Sequence, residues 1–331
     1  MRPAVQSGMT LRCDLCPKYC LIEPGQSGDC RVRVNIDGTL HAVTYGFPVA
    51  VHVDPVEKKP LNHFLPGSEI FSIATAGCNL HCKNCQNWEI SQLNPEDSVA
   101  SPLPPEKIAA VAKQYDCRSI AYTYTEPIVY YEYAFDCCVR AHGAGLRNVM
   151  VTAGYINPKP LRELYRHVDA ANIDLKAMTD RFYRDVCGAT LKPVLNTLVT
   201  AKSLGVLVEV TNLLIPSLND TDGDIRKLCR WVRENLGRET PVHFSRFHPQ
   251  HKMRHLPPTP PATLARAKAI ALAEGLKHIY VGNILMKGAS DTVCPSCGRV
   301  VVRRTGYHVH ANRLRDGRCP DCRTEVYGVW N

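Results

Sequence analysis

The sequence predicts an α/β protein whose core is a (β/α) barrel, partial or full, flanked by two small cysteine-rich regions. Three observations carry that reading. Short apolar runs alternate with helical stretches through the middle of the chain. Cysteines pair at C-x₂-C spacing near both ends and again near residue 80. The length, 331 residues, suits one barrel with small additions. Cysteine placement puts an N-terminal segment at 1–65, the barrel core at 66–291 and a ribbon-like tail at 292–331. A doubly wound open sheet is the alternative arrangement of the same units.

The runs EIFSIATAG, SIAYTYT, NVMVTAG, AANIDL, VLVEVTNLLI, PVHFSRF and HIYVGN read as strands of a parallel sheet. Pro105 opens a helix in which Ile108, Val111, Ala112 and Tyr115 share a face. Ile225, Leu228, Val232 and Leu236 repeat the helical spacing, and Gly237 is placed to stop it. Thr259 before Pro260 reads as an N-cap, followed by the stripe Leu264, Ala267, Ala271 and Leu272 and a stop at Gly275. These stripes are core positions, not cofactor contacts. In either topology, ligands gather beyond the carboxyl ends of the strands.

Hydrophobic residues at 45% and charged residues at 21% fit a globular protein and exclude wholesale disorder. No run of 18 apolar residues marks a membrane span. The opening MRPAVQSGMTLRC lacks the apolar stretch of a secretory signal, so the expected location is the cytoplasm, with no membrane partner. The formal charge of +9 suggests a nucleic-acid partner, but metal-bound thiolates would lower it to about +4. Sixteen cysteines would give about one C-x₂-C pair by chance, whereas the sequence has Cys13/Cys16, Cys82/Cys85, Cys294/Cys297 and Cys319/Cys322. In a reducing compartment that clustering favours metal sites over disulfides.

GCNLHCKNCQN places Cys78, Cys82 and Cys85 at C-x₃-C-x₂-C spacing just after the first apolar run. Three thiolates there can hold a [4Fe–4S] cluster and leave its fourth iron without a protein ligand. The alternative is a zinc site completed by His81 or a distant residue. The motif, its CQN ending and the TEP of Thr125, Glu126 and Pro127 resemble the radical S-adenosylmethionine (radical SAM) superfamily, in particular the branch typified by pyruvate formate-lyase activating enzyme. That resemblance implies an open iron that chelates SAM, reductive cleavage of SAM to methionine and a 5′-deoxyadenosyl radical, hydrogen abstraction from a substrate, and a reductant such as flavodoxin or ferredoxin. It also implies that Glu126 binds the SAM amino group, and that Thr152, Gly154, Asp174, Lys176 and His248 contact the cofactor. Asn84 and Ala153 depart from the superfamily pattern, which often has an aromatic and an asparagine there.

CDLCPKYCLIEPGQSGDCRVR, DPVEKKPLNHFLPGS, CQNWEIS, YTYTEP, YVGN and the terminal cysteines together resemble the AmmeMemoRadiSam-system radical SAM proteins over nearly the whole chain. This implies association with AMMECR and Memo family proteins. Cys13, Cys16, Cys20 and Cys30, spaced C-x₂-C-x₃-C-x₉-C, suit zinc or an auxiliary iron–sulfur cluster equally. Cys294, Cys297, Cys319 and Cys322 form two knuckles separated by 21 residues and read as a zinc ribbon, with a rubredoxin-type iron site as the alternative. Between the knuckles, Arg303, Arg304, Arg313, Arg315 and Arg318 form a basic stretch that suits phosphates or simply solvent. Cys117, Cys137, Cys138, Cys187 and Cys229 are expected to be structural. The substrate class stays open between a protein glycyl position and a small molecule, with RNA modification as the runner-up. A zinc or nucleic-acid adaptor and an electron carrier without SAM chemistry are the competing classes.

Overall fold

A computed structural model describes residues 8–331 of the chain. Residues 1–7, the start of the stretch that lacks a secretory signal pattern, lie outside the described residues. Two small antiparallel pairs come first: β1 (Leu11–Arg12) with β2 (Leu21–Ile22), then β3 (Arg33–Ile36) with β4 (Thr39–Ala42). β5 (Ala50–Pro55) then runs antiparallel to β6 (Glu69–Ala74). The parallel series continues through β7 (Ser119–Tyr122), β8 (Arg147–Thr152), β9 (Ala170–Asp174), β10 (Leu207–Leu214), β11 (Val242–Arg246) and β12 (Ile279–Gly282). The tail is a three-stranded antiparallel sheet of β13 (Thr292–Val293), β14 (Val300–Thr305) and β15 (His308–Asn312).

The eight strands β5 to β12 lie side by side in strict chain order. A doubly wound sheet reverses order at its switch point, so this sequence of neighbours selects the barrel-type arrangement. β5 and β12 are edges of the sheet rather than partners, so the barrel is incomplete. The sheet also reaches further toward the N-terminus than cysteine placement indicates, because its first strand comes from residues 50–55.

Crossover helices cover the outer face, as right-handed βαβ units require. Pro105–Gln114 buries Ile108, Ala109 and Ala112, and Asp222–Asn235 buries Ile225, Leu228, Cys229 and Val232. Gly237 and Gly275 take φ of +92° and +90° just past their helices, the left-handed conformation that ends them. Two expected stripe residues face solvent: Tyr115 stands past the last turn of its helix, and Leu272 lies on the outer side of Pro261–Ala273. Thr259 is not an N-cap. Its hydroxyl donates to the Leu214 carbonyl at 2.6 Å and accepts from the Phe247 N–H at 2.8 Å, tying two strand ends together. No helix among the described residues is long and apolar enough to cross a membrane.

The segment between β5 and β6 closes the opposite end of the sheet from the strand carboxyl ends. The buried Glu209 carboxylate accepts the N–H groups of Asn62 (3.1 Å) and His63 (2.7 Å), and His243 Nε2 lies 2.6 Å from it. The tail docks here through Arg304. Its guanidinium donates to Glu57 (3.2 Å), Thr292 (2.8 Å) and the Asn62 carbonyl (2.7 Å), with its side chain fully buried. Arg304 therefore leaves the basic stretch and becomes a structural ion pair. Arg303, Arg313, Arg315 and Arg318 remain exposed, and Arg313 and Arg318 pair with Asp321 and Glu325. Removing one partner of a buried pair strands the other charge, so Arg304→Ala is expected to lower stability by about 3–5 kcal/mol in urea unfolding, while Arg303→Ala stays within about 0.5 kcal/mol. Equal effects of the two substitutions would contradict the assignment.

Candidate functional site

β6 ends at Ala74, and the chain turns at once into the three-cysteine loop. Gly77 makes the turn with φ +91°, and a Cβ there would meet Val32 Cγ2 at 2.4 Å and the Cys30 carbonyl at 2.7 Å. Only glycine fits, because the N-terminal segment is seated directly against the loop. The loop is then pinned from outside. His81 and Lys83 N–H groups donate to the carbonyls of Cys187 and Val186, each at 2.9 Å. Ser91 Oγ lies 3.3 Å from Cys85 Sγ.

Cys78, Cys82 and Cys85 all open onto one cavity of about 390 Å³ at the carboxyl ends of the strands. That volume is in the range of small-molecule sites. β7 to β12 each send a residue to its wall from at or just past their ends, among them Thr123, Thr152, Asp174, Leu213, Ser245 and Asn283. Residues so far apart in sequence meet there because the strands lie in chain order around an incomplete barrel.

Glu126 is 2% exposed and stands at the start of the short 3₁₀ turn Pro127–Tyr130. Its carboxylate accepts from the Thr152 hydroxyl at 2.5 Å, the Ala153 N–H at 2.8 Å and the Ile128 N–H at 3.4 Å. Burial nevertheless pushes its pKa up to about 7, against the pull of those donors and of Lys176. Cys78 rises well above the ordinary thiol value, first through burial and then through Glu126 and Cys82. Lys176 is the cation among these acids. It pairs with Asp174 at 2.7 Å, and although burial alone would lower its pKa, Asp174, Cys82 and Cys187 outweigh that and hold it well above its ordinary value. The Cys187 thiol donates to Cys82, the leading reason that Cys82 is lowered to about 7.

Of the cofactor contacts expected from sequence, Glu126, Thr152, Asp174 and Lys176 line the cavity. Gly154 does not. It forms a left-handed turn (φ +68°) behind the wall, where a Cβ would press on Ile173 at 3.0 Å and Thr197 at 3.2 Å. His248 is exposed and outside the lining, its Nε2 3.3 Å from the Asn283 carbonyl. Both ring nitrogens of His81 are engaged, Nδ1 with Gln92 and Nε2 with Asp29, each at 3.0 Å, so His81 does not turn toward the thiols. Asp29 raises its pKa, favouring the imidazolium, which ligates no metal.

Other wall residues were not singled out from sequence, apart from Asn84, noted there as a departure from the superfamily pattern. Asn84 Oδ1 and Thr211 Oγ1 are buried polar atoms with no protein partner, and both residues face the cavity. Such atoms ask for a ligand partner. Tyr124 takes φ +61°, a strained conformation for a tyrosine, and its hydroxyl donates to Asp54. Lys59 Nζ donates to the same carboxylate at 2.6 Å and, through burial, falls to a pKa of about 8. For Tyr124, Asp54 and Lys59 the sequence signal is nearness to, or membership of, the TEP and DPVEKKP segments.

In the tail, Cys294 and Cys322 sulfurs lie 3.4 Å apart and those of Cys297 and Cys319 3.7 Å, with all four within 4.8 Å of one another. Tetrahedral thiolates at a Zn–S distance of 2.3 Å stand about 3.8 Å apart, so the four can hold one metal ion.

The family model described as "Radical SAM superfamily" matches residues 72–232, the stretch from within β6 through the three-cysteine loop and β10 and into the helix beyond it. Residues 72–232 are a radical SAM superfamily domain. An uncharacterized protein of Methanocaldococcus jannaschii is 46% identical over 318 residues, 96% of this chain and 95% of its own length. Pyruvate formate-lyase-activating enzyme of Clostridium pasteurianum is 22% identical over 174 residues, covering 52% of this chain and 72% of that protein. Among solved structures, a radical SAM methyltransferase from Sphaerobacter thermophilus shares the fold, with a TM-score of 0.51, 18% identity and 70% of each chain covered. Membership implies an enzyme that uses a [4Fe–4S] cluster and SAM.

The residues present fit both groups. The three thiols border one cavity, yet among the described residues no three of them and their neighbours converge within the 4.8 Å spread that the tail cysteines show, as suits thiolates carried on separate irons. Unpartnered polar atoms and a buried carboxylate complete the wall. For the tail, metal analysis of purified protein is expected to find one tightly bound divalent ion that Cys319→Ala loses, together with the protease resistance of residues 292–331. An intact, protected tail in the metal-free variant would contradict a metal-built ribbon.

Proposed function

We propose that this chain reductively cleaves SAM and uses the resulting radical to abstract hydrogen from a substrate, in the manner of activating enzymes. The observation that carries the proposal is the single cavity shared by Cys78, Cys82, Cys85 and Glu126. Cys78, Cys82 and Cys85 would hold the [4Fe–4S] cluster, which when bound supplies one electron to the SAM sulfonium and an open iron for its amino and carboxylate groups.

The chain's own residues do the positioning. Glu126 is an acceptor fixed by Thr152 and the Ala153 N–H, so its carboxylate is pre-set to receive an ammonium without reorganising. Asn84 Oδ1 and Thr211 Oγ1 are acceptors for ribose or adenine donors. Lys176, held by Asp174, supplies positive charge beside the thiolates. Tyr307, reaching in from the tail, and Lys58 and Lys59 also line the cavity and would meet the substrate there. A protein glycyl position or a small molecule is the proposed substrate, and a low-potential donor such as flavodoxin or ferredoxin supplies the electron in the cytoplasm. The whole-chain resemblance to AmmeMemoRadiSam-system proteins supports AMMECR and Memo family proteins as partners.

Reconstituted anaerobically with iron and sulfide and then reduced, the wild type is expected to convert SAM to 5′-deoxyadenosine, and the Cys78→Ala/Cys82→Ala/Cys85→Ala variant is not. A fully loaded wild type that makes none would overturn the proposal. The ionised carboxylate is the form that attracts the ammonium, so SAM affinity is expected to fall as pH drops through about 7, where Glu126 takes up a proton. Glu126→Gln should weaken SAM binding at pH 8 by about tenfold to a hundredfold, the worth of a charge-assisted hydrogen bond, and flatten the pH dependence. Calorimetric titration checks both, and an unchanged Kd in the variant would remove Glu126 from the site.

A further inference from the structure

The tail and the N-terminal segment each carry four cysteines, but they hold them differently. The tail thiols converge within 4.8 Å of one another, as a single ion requires. Cys13, Cys16, Cys20 and Cys30 also line one cavity, yet among the described residues no three of them approach that closely. Thiols set apart around a common space match a cubane, in which each thiolate binds a different iron at its own corner. We propose that Cys13, Cys16, Cys20 and Cys30 hold a second [4Fe–4S] cluster, packed against the loop that carries the first.

The walls support an iron–sulfur group. Leu15, Ile22, Ile128 and Val129 form an apolar lining that keeps water from the sulfurs. Backbone N–H groups point at the thiols: Asp29 donates to Cys20 Sγ at 3.4 Å, Lys18 to Cys16, and Val32 and Arg33 to Cys30. Such donors stabilise thiolates and set cluster potential. Arg33, 8% exposed, also lines the cavity. One end of its guanidinium pairs with Glu132, while its Nε is buried with no protein partner. Four thiolates on a [4Fe–4S]²⁺ core carry a net −2, a charge that suits an unpartnered guanidinium N–H in the wall.

The two sites share a partition. Asn79 lines the N-terminal cavity, and Cys78, the residue before it, lines the other. Asp29 pairs with Lys18 at 2.8 Å and with His81 at 3.0 Å, and Arg31 donates to the Ser91 carbonyl (3.1 Å) and Gln92 (3.0 Å), next to the Ser91 hydroxyl that touches Cys85. The close seating at Gly77 fixes the same contact from the backbone side. A cluster in this pocket stands one layer of protein from the first.

The proposal is independent of SAM cleavage, and the test separates the two. The full chain is reconstituted anaerobically with iron, sulfide and zinc all present, and metals are counted in the wild type, in the Cys78→Ala/Cys82→Ala/Cys85→Ala variant and in a Cys13→Ser/Cys16→Ser variant. The expected iron contents are about eight, four and four per chain, with about one zinc in each. In the first variant, the reduced cluster is expected to give an electron paramagnetic resonance signal that SAM leaves unchanged. In the fully reduced wild type, the two signals should broaden each other, and either variant should abolish the broadening. About four irons and two zincs in the wild type, with every signal responsive to SAM, would overturn the second cluster while leaving the proposed function standing. The wild-type count decides the matter even if a variant fails to fold.

Discussion

The site depends on one electrostatic constraint: acidic groups are brought together out of bulk water without enough cations from the chain to balance them. Burial raises the cost of ionising both Cys78 and Glu126, and the Glu126 charge raises it further for Cys78. Lys176 answers part of that charge, but it is already paired with Asp174. The protein alone therefore keeps some of these groups protonated near neutral pH. An iron–sulfur core on the thiols and an ammonium at Glu126 would relieve the imbalance, so the electrostatics of the wall match the charge of those groups.

That wall is only as fixed as the elements behind it. Chain-ordered strands deliver their carboxyl ends to one rim, and the three-cysteine loop hangs from the first of the parallel ones. At the other end of the sheet, Glu209 captures two backbone N–H groups of the 56–65 segment, and Arg304 carries the tail into the same polar network. The tail is thus coupled to the core by a buried ion pair, three residues from the Tyr307 that it brings to the cavity wall. The N-terminal segment braces the cysteine loop from its other side through Asp29, Arg31 and the Gly77 contact.

Much of this was legible in the sequence. Periodicity located every parallel strand, since a buried strand leaves a compact apolar run, and cysteine spacing located the thiols because a short loop has few ways to present them. Side-chain direction was less legible. Gly154 and His248 follow strand ends just as Thr152 does, but one is consumed by a tight turn and the other points to solvent. Arg304 belongs to a basic stretch in sequence, yet a bulge in β14 between Arg303 and Arg304 interrupts its register and its partner Glu57 is 247 positions away. Thr211 carried no signal, and Asn84 only that of a departure from the superfamily pattern, because an unpartnered atom exists only once the fold has denied it every neighbour. The spread of the N-terminal thiols is likewise a property of tertiary packing, whereas their spacing suited either metal.

The central claim is that three thiolates hold a cluster with one iron open to the cavity that Glu126 borders. Electron–nuclear double resonance on the reduced protein, with SAM labelled with ¹⁵N at its amino group, tests it most directly. The account predicts a nitrogen coupling to the cluster that appears with SAM and is absent from the Cys78→Ala/Cys82→Ala/Cys85→Ala variant. A reduced protein in which no cluster signal responds to SAM would contradict it, and would leave an electron-transfer protein in place of a radical enzyme.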